Sequence, residues 1–150
     1  MKKRIAFCIP FLLLIFLVGC GPKTARVSGR VTFDGEPGKN ISVLFQAVSS
    51  ENTIAEPAVG MTNDNGEFSL SLVDTKKRGV IPGEYAVYIS WVDPNSGNAV
   101  EGVTPATVVP YKIPTRATNG QMTFTVSPEG TTEANFDFDS TKESYKPSGV

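Results

Sequence analysis

Gly83-Glu84-Tyr85-Ala86-Val87-Tyr88-Ile89-Ser90-Trp91 decides the fold class. Tyr85, Val87, Ile89 and Trp91 take every second position, the longest such set in the chain, and a strand sends alternate side chains to opposite faces. The same period runs outward in both directions. Val27, Val31 and Phe33 alternate with Ser28, Arg30 and Thr32; Ile41, Val43 and Phe45 follow; Phe68, Leu70 and Leu72 stand against Ser69 and Ser71. Met122, Phe124 and Val126 form another set, and Ala134, Phe136 and Phe138 alternate with Asn135, Asp137 and Asp139. A shorter strand at Ala58 to Thr62 brings the number to about seven, and no helical stripe competes. Alternating runs at this spacing predict an all-β fold, an antiparallel seven-stranded β-sandwich.

The connections carry their own chemistry. Asp34-Gly35 and Asn65-Gly66 supply residues that tolerate positive φ, each between two strand-like runs, and Pro82-Gly83 marks a turn into the Tyr85 strand. Gly29 sits inside the first strand, where glycine costs stability, so it relieves crowding against an aromatic neighbour or marks a bulge. Asp93 to Thr118 contains Pro94, Gly97, Gly102, Pro105, Pro110 and Pro114 and reads as one long loop. Loops of that length in small domains are often functional or mobile. Residues 24–139 are expected to form the folded body, and 140–150 a polar tail.

At the start of the chain, Lys2, Lys3 and Arg4 precede an apolar run from Ile5 to Val18 that is broken by Pro10. A basic start, an apolar core and small exit residues are the parts of a secretory signal. About fourteen apolar residues fall short of the roughly twenty that a membrane-spanning helix needs. At the exit, Leu17-Val18-Gly19-Cys20 resembles the bacterial lipobox. That resemblance implies that residues 1–19 are a lipoprotein signal peptide, cut after Gly19 by signal peptidase II, with Leu17, Val18 and Gly19 as its recognition residues. Cys20 would then carry the lipid through a thioether, and 20–23 would be a short tether. Sulfur is the nucleophile such a bond requires, and two or more acyl chains give stable anchoring where one does not. The alternative is an ordinary secretory signal with a cysteine near its cut. Gly21, at the second mature position, is not the aspartate that keeps well-studied lipoproteins at the inner membrane. By the same resemblance the chain is expected at the outer membrane, on its periplasmic or surface side.

Composition then narrows the chemistry. All 15 acidic residues follow Cys20, whereas Lys2, Lys3 and Arg4 of the 14 basic ones precede it, which leaves 11 against 15, a net of −4. Basic residues are scattered apart from Lys76-Lys77-Arg78 in an expected loop, so no nucleic-acid footprint exists. The chain has no histidine, hence no common general base, no common transition-metal ligand and no Ser-His-Asp arrangement. Its two cysteines are Cys8, within the signal, and Cys20, so the exported domain has no disulfide, thiol catalyst or structural zinc. Carboxylate chemistry and calcium remain. No cofactor and no metal are expected.

Several motifs, in order, carry a second resemblance. They are Val27-Ser28-Gly29-Arg30-Val31-Thr32-Phe33-Asp34-Gly35, Val43-Leu44-Phe45, Thr62-Asn63-Asp64-Asn65-Gly66-Glu67-Phe68, Pro82-Gly83-Glu84-Tyr85-Ala86-Val87 and Asn135-Phe136-Asp137-Phe138. Together they resemble carboxypeptidase-regulatory-like domains, which share the transthyretin-like (prealbumin-like) fold. Behind a lipobox, they resemble small bacterial lipoproteins built from one such domain. The activities of related proteins do not carry over. Hydroxyisourate hydrolases of this fold use histidines and a C-terminal Tyr-Arg-Gly-Ser, and this chain ends Lys146-Pro147-Ser148-Gly149-Val150. Related adhesin domains join a first-strand lysine to a last-strand asparagine; Asn135 is present, but the first strand carries Arg26 and Arg30. In carboxypeptidases the similar domain is an accessory to a zinc catalytic domain.

Three features compete for a role. Asn63 to Glu67 reads as a hairpin turn rather than a calcium loop, which needs more spaced carboxylates. Asp137 and Asp139, with Glu133 nearby, read as solvated strand acids rather than an acid–base pair, so no catalytic residue is assigned. Tyr111-Lys112, between Pro110 and Pro114, is the candidate interaction loop, an aromatic and a cation able to meet a partner or a glycan; the competing reading packs Tyr111 against the sandwich. The expected function is a non-enzymatic, lipid-anchored module of the cell envelope with a structural or protein-interaction role, meeting the membrane through Cys20 and another envelope protein or a glycan. The alternative is a carbohydrate or peptidoglycan-fragment binding module with Tyr111, Tyr88 or Trp91 as a stacking face. A carboxylate-dependent hydrolase comes third.

Overall fold

The computed structural model describes residues 23–48, 55–94 and 109–142. The expectations for Leu17 to Cys20, for residues 95–108 of the long loop and for 143–150 of the tail lie outside the described residues. Within them the chain forms β1 (Ser28–Phe33), β2 (Glu36–Pro37), β3 (Ile41–Ala47), β4 (Ala58–Met61), β5 (Glu67–Ser69), β6 (Ser71–Leu72), β7 (Gly83–Trp91), a helical turn α1 (Thr115–Thr118), β8 (Met122–Val126) and β9 (Phe136–Phe138). One sheet has the order β6-β4-β3-β7-β8, antiparallel throughout. The other is built on β1, which pairs with β2, β5 and β9. The fold is all-β, two sheets with a core between them.

Alternation sorts the side chains as the sequence implies. Tyr85, Val87 and Ile89 on β7 are buried in register with Ala47, Phe45 and Val43 on β3, while Tyr88 and Ser90 point to the other face. Val31 and Phe33 on β1, with Phe136 and Phe138 on β9, supply the opposing layer. Burial pushes the Tyr85 phenol up, so it stays neutral and donates to Ile81 O at 2.7 Å. Asp34 (φ 51°) and Gly35 (φ 85°) form the tight turn between β1 and β2.

The structure adds three features that the alternation alone does not show. β9 runs parallel to β1, with Val31, Thr32 and Phe33 beside Phe136, Asp137 and Phe138. These are the first and last long runs of the fold, and the whole intervening chain serves as their crossover. The run from Phe68 to Leu72 is one alternating unit in sequence but two strands in space. β5 pairs with β1, β6 pairs with β4, and the chain changes sheets at Leu70. The change is close-packed: a Cβ on Gly60 of β4 would lie 2.6 Å from Ser69 O. Finally, the long loop ends in α1, whose Ala117 is fully buried.

Gly29 has a reason other than an aromatic neighbour. A Cβ there would stand 2.1 Å from the backbone oxygen of Ala134, so the crowding is backbone on backbone. At this pinch the ladder is completed by a side chain, because Asn135 Oδ1 accepts from Arg30 N at 3.0 Å. Gly29→Ala is expected to destabilise the domain by about 3 kcal/mol, since neither backbone can yield without unseating β9. Gly35→Ala meets nothing within 4 Å and carries only the positive-φ penalty, about 1 kcal/mol. Urea titrations of the two variants against wild type check the ordering.

Candidate functional site

The loop that returns to β8 closes one end of the sandwich. Tyr111 stacks on Phe33 with ring centroids 4.7 Å apart, and its hydroxyl accepts from Lys39 N at 2.9 Å. Phe33 stacks in turn on Phe138 at 5.2 Å, and the Arg116 guanidinium lies 5.5 Å over the Phe138 ring. Pro114 and Ala117, in the same loop, are buried. Tyr111 is therefore a plug, half-buried with one ring face and its oxygen engaged, whereas Lys112 next to it is exposed. The two halves of the candidate interaction loop point to different environments.

The other proposed stacking residues do not join it. Trp91 follows the inward set of β7 and packs on the core in register with Ile41. Tyr88 lies on the opposite face, in register with Leu44, and its hydroxyl is close against Gly120, where a Cβ would stand 2.4 Å away. Tyr111, Tyr88 and Trp91 thus occupy three environments rather than one platform.

Acidic residues do converge, at the turn end of β1. Asp34, Asp137 and Asp139 line an open hollow of about 590 Å³ together with Thr32 and Lys142. Each carboxylate is held by a near neighbour. Asp137 accepts from the Thr32 hydroxyl at 2.5 Å, and Asp34 accepts from Ser140 N at 2.7 Å. Asp139 takes Lys142 Nζ at 2.8 Å, the Thr141 hydroxyl at 2.6 Å and Thr141 N at 2.9 Å. Those hydrogen bonds, first from Lys142 and then from Thr141, hold the Asp139 carboxyl well below the ordinary carboxylate range. A general acid at neutral pH needs the opposite shift. Ser140 to Lys142, read from sequence as the start of a tail, form this pinned turn. Among the described residues no group of three or more acidic, cysteine or histidine side chains is arranged to hold a metal ion.

Asn63 to Glu67 is arranged as a turn. Asn63 Oδ1 accepts from Asn65 N and Glu67 N, Gly66 takes φ 76°, and Asn63 Nδ2 donates to Glu67. Asn63 Oδ1 and the Glu67 carboxylate are used within the turn, while Asp64 pairs with Lys39 at 3.6 Å and Asn65 O accepts from Arg30 Nε at 2.9 Å. Two residues to which the sequence assigns no role act similarly. Thr62, buried, accepts from Ile41 N at 2.8 Å. Glu56 receives the amides of Asp74 and Thr75 and the Thr75 hydroxyl. Partial desolvation pushes the Glu56 carboxyl up, but those donors and nearby Lys76 outweigh it and hold the group below its ordinary value. Nothing local in the sequence marks Glu56, because its donors lie some 18 and 19 residues away. Comparisons with family models, curated proteins and solved structures return no match to this chain.

Two measurements test this end of the sandwich. Tyr111→Ala is expected to cost about 2 kcal/mol through the lost stacking on Phe33, and Tyr111→Phe under about 1 kcal/mol, since only the bond to the Lys39 amide goes. Thermal melts separate the two. Asp139, with its folded value depressed, contributes stability that is present above the unfolded value of about 3.8 and is lost as pH falls further. Asp139→Asn should therefore flatten the acid limb below about pH 4 while leaving neutral-pH stability lower, as read by circular dichroism across an acid titration.

Proposed function

We propose that this chain is a lipid-anchored β-sandwich of the bacterial cell envelope, seven-stranded and transthyretin-like in type, that acts as a non-enzymatic structural or protein-interaction module. The observation that carries the reading is the junction between Leu17-Val18-Gly19-Cys20 and the fold. Ala25, five residues after the lipobox cysteine, is already bonded to Val80 through both backbone groups, 2.7 and 2.8 Å. A lipid on Cys20 would thus hold a packed domain directly at a membrane surface. Setting aside β2 and β6, two residues each, leaves seven longer strand segments, which supports the strand number in this reading. Among the described residues no helix is long and apolar enough to cross a membrane.

The engaged rings of Tyr111 and Trp91 favour interaction through the sandwich surface over stacking on a sugar. The engaged carboxylates of Asp34, Asp137 and Asp139 favour a turn over an acid–base site. Metabolic palmitate labelling is expected to mark the wild-type chain and not Cys20→Ala. Equal labelling of the two, or none in either, removes the anchor. Crosslinking of the full chain in intact envelopes, followed by capture, is expected to retain an envelope protein; capture of peptidoglycan fragments alone would replace the module reading with the glycan one.

A further inference from the structure

The end of the sandwich where the chain enters differs from the end that Tyr111 plugs. Beside the Ala25–Val80 bridge, Arg26 and Arg78 line one hollow of about 480 Å³ with Ser28, Ser69, Ser71 and Thr132. Backbone pairing brings the two arginines there from distant segments. Leu70 N donates to Val27 O at 2.9 Å, Gly79 N donates to Leu70 O at 2.9 Å, and Ser71 bridges Arg78. Both arginines are exposed, and neither guanidinium has an ion pair or side-chain hydrogen bond among the described residues. A guanidinium presents a planar fork of donors that matches phosphate oxygens.

We infer that this hollow seats on the phosphate groups of anionic phospholipids in the membrane that holds Cys20. The inference rests on reading Cys20 as the lipid anchor. Covalent reach makes the geometry restrictive. Six residue steps of about 3.8 Å separate Cys20 from Arg26, so the lipid-bearing residue stays within roughly 23 Å of the hollow. With a Debye length of about 8 Å at physiological ionic strength, the tether allows contact but the charge acts only once contact is made.

The whole entry end is not cationic. Lys23, Lys76 and Lys77 stand near the arginines, and Glu56, Asp74, Glu129 and Glu133 on neighbouring turns offset them. The attraction is therefore short in range and depends on contact at Arg26 and Arg78. A short tether supplies that contact by keeping the effective concentration of headgroups high. At the far end of β1 and β9, Asp34, Glu36, Asp137 and Asp139 stand among Lys39, Lys112, Arg116 and Lys142, so that end is close to balanced and the orientation rests on contact at Arg26 and Arg78.

The test uses the full chain processed in cells, with its N-terminal peptide checked by mass spectrometry for lipid on Cys20. The protein is reconstituted in phosphatidylcholine vesicles with or without phosphatidylglycerol, and with a nitroxide on a fraction of headgroups. A fluorophore on Pro128→Cys, in the turn beside Arg26, reports the entry end; one on Glu36→Cys reports the opposite end. Quenching is expected at Pro128→Cys and not at Glu36→Cys, and to rise with phosphatidylglycerol. Arg26→Gln with Arg78→Gln should lower the ratio of seated to free orientations on the order of tenfold, at about fivefold per cation at most. The charge-keeping Arg26→Lys with Arg78→Lys should retain most of the quenching, which separates lost charge from lost folding. Equal quenching at both ends, or no response to phosphatidylglycerol or to the glutamine pair, overturns the orientation while leaving the anchor. Displacement by millimolar inorganic phosphate at matched ionic strength would make the hollow a free-phosphate site and remove the membrane assignment. Absence of lipid on Cys20 removes anchor and orientation together.

Discussion

The close approach of β9 to β1 is the constraint on which the rest of this sandwich depends. With no side chain at Gly29, the backbone of Ala134 lies against β1, and the parallel pairing of Phe136 and Phe138 with Val31 and Phe33 follows. Phe136 then meets Phe68 from its own sheet and Phe45 and Phe124 from the other, at centroid distances of 6.1, 6.4 and 6.2 Å. Phe138 meets Phe33, which carries Tyr111. Four aromatic pairs thus hang on one three-residue strand. At about 0.5–1.5 kcal/mol each beyond simple burial, they amount to roughly 2–6 kcal/mol. A domain of this size is stable by only about 5–15 kcal/mol. Since Cys8 and Cys20 are the only cysteines, no covalent staple within the sandwich offsets a loss of that size.

The alternation that made strands legible says which face a residue takes, and it says nothing about which strand lies beside it. Tyr85 to Trp91 was therefore readable as a half-buried strand, and its inward set is the buried one. Phe68 to Leu72 kept its period through Leu70 while the backbone passed from one sheet to the other, because both halves face the same core. The parallel direction of β9 was hidden for the same reason: pairing of first and last strands is non-local, and alternation is blind to direction. Gly29 was visible as an anomaly. Its cause was not, since the oxygen that excludes a Cβ belongs to a residue more than a hundred positions away.

The candidate residues divide along a similar line. Turns whose donors and acceptors are neighbours, such as Asn63 to Glu67, could be read from spacing. Tyr111 could be read as an aromatic in a proline-rich loop, but whether its ring faced Phe33 or solvent depended on where the loop landed. Arg26 and Arg78 carried no signal at all: one sits before a strand and the other ends a basic triplet, and only the Leu70 crossing brings them to one hollow.

That crossing also gives the two ends of the molecule different chemistry. At the turn end, aromatic stacking, buried Pro114 and the bonds of Asp139 engage many of the groups that could bind something, and the exposed rim carries Lys39, Lys112 and Lys142 beside Asp34, Glu36 and Asp137. At the entry end, the backbone is fully paired through Ala25 and Val80, yet two guanidiniums and four hydroxyl side chains are left facing outward. On the anchored reading, the membrane takes the second surface. On the outward face of the five-stranded sheet, Leu44, Val59 and Tyr88 stand side by side across β3, β4 and β7, all half-buried. Side chains in cross-strand register pack against one another, so the same alternation that fills the core on one face of this sheet builds a continuous strip on the other.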